Sequence, residues 1–169
     1  MTTRENHARY LAVHPTTYGL GFAVFEEPLH LIDWGVYRAG GDKNQKCLRW
    51  LDSLIKRYEP RVVILEERGP QDRQRSDRIR RLLRSAAIEI RRRGKVLKRV
   101  PRTQVRSLFE GQGVKTKEGI ANIIVKLFPE LTHQLPPTRK SWMPEHPRMG
   151  MFEAIAIALT YLDSHDINS

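Results

Sequence analysis

Apolar positions along the chain follow two rhythms, and the switches between them mark out the elements. Residues 10–14 are a nearly continuous apolar run, 19–26 follow after a Pro-Thr-Thr turn, and 29–38 follow Glu27-Pro28. Each reads as a strand. Gly40-Gly41 then breaks the chain, and Asp42 is placed to cap a helix whose apolar positions are Leu48, Leu51, Leu54, Ile55 and Tyr58. Beyond Pro60, residues 62–65 are unbroken apolar, the pattern of a strand covered on both faces in a parallel sheet. Over 72–93 the period becomes helical: Ile79, Leu82, Leu83, Ala86, Ala87 and Ile90 form one stripe that Gly94 ends. Residues 95–100 predict a fifth strand, Thr103 a cap for a short helix to Phe109, and 116–128 a further helix. A Pro-rich loop from Leu135 to Pro147 leads into a last helix over 148–162.

Three strands, a helix, a strand, a helix, a strand and then helices give an α/β domain. That order is the topology of an RNase H-like fold, a five-stranded mixed sheet with helices on both faces. The 169 residues, 40% of them hydrophobic, suffice for one such domain spanning 1–169. No apolar stretch approaches the roughly 18 residues of a membrane span, and the N-terminus has no apolar signal core. A cytoplasmic protein without a membrane partner is expected. Cys47 stands alone, which excludes internal disulfides and a cysteine zinc site, so it reads as a small core residue.

Charge changes the picture more. Lys and Arg number 30 against 19 Asp and Glu, a formal net charge of +11. That is the footprint of a polyanion binder, and arginine-rich clustering favours nucleic acid because the guanidinium fork suits phosphate. Arg75, Arg78, Arg81, Arg84 and 91–93 lie largely off the apolar stripe of the long helix, either as a solvated face or as phosphate contacts. Glu66 closes a buried strand, which costs stability unless a neighbour such as Arg68 or a metal ion compensates it. Glu67 points to the opposite face, toward solvent. Glu153 shares an apolar helix face with Met149, Phe152 and Ala156, so something specific must hold it. His14 reads either as a hydrogen-bonded core histidine or as a ligand. His146 reads as a loop histidine, or as one able to reach the same site.

In four places the chain resembles the RuvC-type Holliday junction resolvases. Val13-His14-Pro15-Thr16 followed by Gly19-Leu20-Gly21-Phe22-Ala23-Val24 is similar to the family's apolar-Asp-Pro-Gly strand and its Gly-containing successor. Ile64-Leu65-Glu66 is similar to its apolar strand ending in Glu. Gln104-Val105-Arg106, then Gly111-Gln112-Gly113 and Lys117, keep the spacing of a Gln-Val-Lys, Gly-x-Gly and Lys element. Gly150 and Glu153 precede Ala154-Ile155-Ala156-Ile157-Ala158 where the family has an acidic pair and then an Ala-rich run.

The resemblance implies a two-fold dimer on four-way junctions and two divalent ions, Mg²⁺ or Mn²⁺, held roughly 3.5–4 Å apart by carboxylates. Carried over by position, the bridging Asp becomes His14, the second acid remains Glu66, the third becomes Gly150 and the fourth remains acidic as Glu153. The implied catalytic set is His14, Glu66, Glu153 and Lys117, with Glu66, Glu153 and His14 as the metal ligands. Arg75, Arg78, Arg81, Arg106, Lys115 and Lys117 are the nucleic-acid contacts, Arg106 and Lys117 standing where the family has lysines near the scissile phosphate. A neutral imidazole cannot bridge two Mg²⁺ ions, and its nitrogen suits Mn²⁺, Zn²⁺ or Fe²⁺ better. Three readings follow. The first is a RuvC-like protein binding branched or structured DNA, in which the replacement of two ligand acids speaks against junction cleavage and no cofactor is held. The second is an active metal-dependent endodeoxyribonuclease with a rebuilt site. The third is a basic RNA- or ribosome-associated structural protein.

Overall fold

The computed structural model describes residues 7–67 and 76–166, so the expected roles of Arg68 and Arg75 lie outside the described residues. Strands β1 (Arg9–Pro15), β2 (Gly19–Glu26) and β3 (His30–Arg38) form an antiparallel meander. Helix α1 (Lys43–Tyr58) then leads to β4 (Val62–Glu67), and α2 (Asp77–Arg92) leads to β5 (Val96–Pro101). Both β4 and β5 are added parallel to β1, giving the sheet order β3-β2-β1-β4-β5. Helices α3 (Arg102–Glu110) and α4 (Lys117–Leu127), a 3₁₀ turn (Pro129–Gln134) and α5 (Met149–Asp166) complete the described chain.

Strand alternation divides the interior into two cores. Leu11, Val13, Val63 and Leu65 pack with Cys47, Leu51, Leu54 and Ile55 of α1 and with Leu82, Ala86 and Ile90 of α2. Ala12 and Ile64 face the other way, onto Phe109 of α3, Ile124 of α4 and the length of α5. Helix α5 buries Met151, Phe152 and every residue from Ala154 to Tyr161, so it lies against the sheet as a central element. The expected five-stranded mixed sheet with helices on both faces is the one observed.

Several boundaries differ, each for a local reason. Asp42 caps α1 as expected, accepting the Gln45 amide at 3.2 Å. Helix α2 starts at Asp77, where Ser76 has extended backbone and its hydroxyl accepts the Ile79 amide, and the expected helical residues 72–75 lie outside the described residues. Thr103 is not a cap: α3 begins at Arg102 directly out of β5, and Thr103 lies inside its first turn. The 3₁₀ turn after α4 had no counterpart in the apolar pattern, and α5 runs beyond 162 to Asp166.

Candidate functional site

Val13 and Leu65 are the last partners in the β1–β4 ladder, so His14 and Glu66 leave its end side by side. Both share the face of Ala12 and Ile64, the face that α5 covers. Both are buried, His14 at 4% and Glu66 at 8% exposure. The first turn of α5 comes down over them because two glycines permit it. A Cβ on Gly21 would stand 2.1 Å from the Gly150 carbonyl carbon, and one on Gly150 would stand 2.7 Å from Thr16 Cγ2. Thr16 is itself fixed, its hydroxyl accepting the Tyr18 and Gly19 amides at 3.2 Å each. Close helix-to-sheet approach therefore requires the absence of a side chain at 150, where the resemblance would put a third acid.

That approach delivers Glu153 onto His14. Glu153 Oε2 forms a short ion pair with His14 Nε2, and its Oε1 lies 2.7 Å from Lys117 Nζ. Lys117 Nζ also donates to Glu145 Oε2 at 2.9 Å. On the other side His14 Nδ1 lies 3.1 Å from Glu66 Oε2. The distance is that of an ion pair, but the N–H is not aimed well enough to make a hydrogen bond. Charges thus alternate in the order Glu66, His14, Glu153, Lys117, Glu145.

Electrostatics follow from this order. Burial alone would lower the His14 pKa, but the charge and hydrogen bond of Glu153, then the nearby charge of Glu66, outweigh it and raise the value to about 9. At neutral pH the ring is an imidazolium with a proton on each nitrogen. Burial would raise Glu153, yet His14 and Lys117 hold its carboxyl well below the usual carboxylate range. Lys117 is raised in turn, since Glu153 and Glu145 overcome its partial burial.

Above the acids the cleft is basic. Arg102 and Arg106 of α3, Lys115 before α4 and Lys117 line it, with Val105, Ile120 and Phe152 as apolar wall. Arg106 and Lys115 are exposed, so their charges are available to a ligand. Lys117 is placed in the cleft but is engaged by two carboxylates.

Arg78, expected to meet phosphate, acts within the fold as a brace. Its Nη2 donates to Thr16 O at 2.8 Å and its Nη1 to Asn44 Oδ1 at 3.0 Å, tying α2 to α1 and to the β1–β2 turn. Arg81 is exposed on α2 and does not line the cleft. His146 accepts the Arg148 amide through Nδ1 at 3.2 Å, and burial, then Arg148 and Arg38, lower its pKa, which suits a neutral acceptor within its loop. Two site residues were missed by sequence reasoning. Arg102 carried a signal, standing one helical turn from Arg106. Glu145 carried none, because its partner Lys117 is 28 residues away.

No family model and no curated protein matches the sequence. Among solved structures the chain is similar to Thermus thermophilus RuvC, with a TM-score of 0.68 and 17% identity over 95% of this chain and 96% of that one. T. thermophilus RuvC in complex with a Holliday junction substrate gives 0.65 and 15%, over 94% and 96%. The yeast mitochondrial Holliday junction resolvase gives 0.64 and 10%, over 95% and 80%. The fold is that of the RuvC-type resolvases. Within this RuvC-type frame the divalent ions implied by the resemblance do not fit the residues present. His14 presents protons where a bridging ligand must present lone pairs, and both oxygens of Glu153 face cations of the chain itself. Among the described residues no group of three or more His, Cys, Asp or Glu is arranged to hold a metal ion. In this structure His14, Glu66 and Glu153, the expected ligand set, stand together with Lys117 as an ion-pair cluster.

Proposed function

We propose that this chain binds branched or structured DNA through its basic cleft, as a RuvC-type module in which internal cations have taken the place of catalytic metal. The observation that carries the proposal is the placement of His14, each of whose ring nitrogens faces a carboxylate, Glu66 on one side and Glu153 on the other. A ring protonated on both nitrogens has no lone pair to offer a metal ion or a proton. The cluster then serves as a staple. Through Lys117 it fastens the start of α4 to α5, and through His14 it fastens α5 to the ends of β1 and β4. This fixes the wall from which Arg102, Arg106 and Lys115 face the cleft. These three cations, with the net charge of +11, support phosphate contact. Branched DNA as the ligand class is supported by the likeness to T. thermophilus RuvC in its complex with a Holliday junction substrate.

The test is fluorescence anisotropy with a four-way junction, a duplex and a single strand of matched length, all at one stated salt concentration. A preference for the junction, weakened by added salt and accompanied by no cleavage in Mg²⁺ or Mn²⁺, is expected. Equal affinity for all three would favour the RNA- or ribosome-associated reading. Mn²⁺-dependent cleavage abolished by Glu66→Gln would overturn the closed cluster in favour of a rebuilt nuclease.

A further inference from the structure

Trp142 is 75% exposed, the most exposed large apolar side chain among the described residues. Single exposed aliphatic residues are ordinary on soluble proteins. A tryptophan on a turn tethered through a neighbouring residue to the basic cleft is less so, and here three observations converge on it.

The first is that the turn is held. Met143 N donates to Lys140 O at 3.0 Å, and Arg139 Nη1 donates to Met143 O at 2.9 Å while pairing with Glu118 at 3.5 Å. The second is that the turn is fastened to the cleft. Glu145, three residues on and so within roughly 10 Å of chain, holds Lys117 of the cluster, and its carbonyl accepts the Tyr18 hydroxyl at 3.1 Å. The third is charge. Lys140 Nζ stands over the indole, 5.9 Å from the ring centroid, which places a cation at an aromatic plane that is otherwise open to solvent.

We infer that Trp142 is a stacking platform for an unpaired nucleobase of a nucleic acid lying in the cleft, with Lys140 meeting the adjoining phosphate. The inference rests on the DNA-binding reading above and adds the feature of the ligand that the rim would recognise. One open aromatic face and one cation are what a base and its phosphate require, and a π-face accepts any base. A protein partner fits less well. The apolar surface at this place is Trp142 with Met143, which is 39% exposed, and that is small for the buried centre of a stable interface. The site would thus select DNA that has unpaired nucleotides near its branch over fully paired duplex.

Trp142→Ala, Trp142→Phe and the wild type are compared in anisotropy titrations at one salt concentration. The probes are a blunt duplex and the same duplex with a single-stranded tail. Trp142→Ala should lose about tenfold or more in affinity for the tailed duplex and less than about twofold for the blunt one, with Trp142→Phe retaining most of the difference. Intrinsic fluorescence supplies a second readout. An oligothymidylate should quench the wild type and leave Trp142→Phe, with half-buried Trp34 and Trp50 as its background, nearly unchanged. Losses equal on both probes, or on neither, overturn stacking while leaving DNA binding intact. A wild type that binds neither probe overturns stacking, and one that binds no four-way junction either overturns the DNA reading with it. Trp142-dependent binding to anionic lipid vesicles, with no effect on the tailed duplex, overturns stacking in favour of a membrane surface.

Discussion

Replacing His14 probes the charge order most directly, because that one ring faces both Glu66 and Glu153. In His14→Ala two buried carboxylates are left around the vacated position. Removing one member of a buried ion pair costs roughly 3–5 kcal/mol. The rise of the His14 pKa from 6.5 to about 9 gives a second figure, on the order of 3 kcal/mol for the charge-dependent part. The two agree in scale, and about 3 kcal/mol corresponds to a Tm difference of roughly 10 °C in a domain of this size.

The pH dependence carries a sign. The folded pKa of His14 lies above its ordinary value, so its share of stability is complete below about pH 6.5 and is lost as pH rises through about 9. Glu153 is depressed, so its share is present above the ordinary carboxylate value of 4.5 and is lost as pH falls through its lower folded value. Urea unfolding of the wild type and His14→Ala should therefore differ most near pH 6. The difference should shrink toward pH 10, leaving only the part due to lost packing. His14→Asp should be less stable still in the presence of a chelator and should recover on adding Mn²⁺ or Mg²⁺, since a bound ion would restore the missing cation. A difference below about 1 kcal/mol near pH 6, or one that stays constant with pH, would refute an imidazolium between the two acids.

Restoring an acid beside His14 meets a steric limit. Gly150→Ala should cost about 1–3 kcal/mol in urea unfolding, because its Cβ would lie 2.7 Å from Thr16 Cγ2. Adding Thr16→Ser, which removes that methyl and keeps the capping hydroxyl, should recover much of the loss. Additive effects in that pair would show that the clash is not what excludes a side chain at 150. The arginines should separate by role. Arg78→Ala should lower stability by about 1–3 kcal/mol and leave the salt slope of DNA binding unchanged, since its guanidinium is engaged by Thr16 and Asn44. Arg106→Ala or Lys115→Ala should do the reverse, keeping stability and reducing the salt slope by about 1 each. A slope that falls with Arg78→Ala as it does with Arg106→Ala would return Arg78 to the binding surface.

Periodicity located all five strands to within a residue or two at their ends, because alternation and unbroken apolar runs follow directly from which faces are covered. It did less well where side chains decide boundaries. Ser76 caps α2, and Thr103, although a capping residue type, is taken into α3. Among the site residues, Glu66 and Glu153 were conspicuous as acids in apolar settings, and both prove to be held by specific partners. The bracing contacts of Arg78 were not legible, because an arginine off an apolar stripe looks alike whether it faces solvent or reaches across to a neighbouring turn.

By itself, then, the sequence determined the mixed five-stranded sheet, its two covered faces, the basic balance of charge and the identity of the acids that would meet at the end of β1 and β4. The sheet, its covered faces and the charge balance are set by local period and composition, whereas the meeting of the acids was implied by the resemblance to the RuvC-type resolvases. Tertiary structure alone decided what the acids do. Whether His14 is a ligand or a cation depends on both its ring nitrogens meeting carboxylates brought in by β4 and by α5. Whether Gly150 is a lost acid or a needed gap depends on how closely α5 approaches Gly21 and Thr16. Protonation and close packing are fixed by neighbours in space, and those neighbours come from distant parts of the chain.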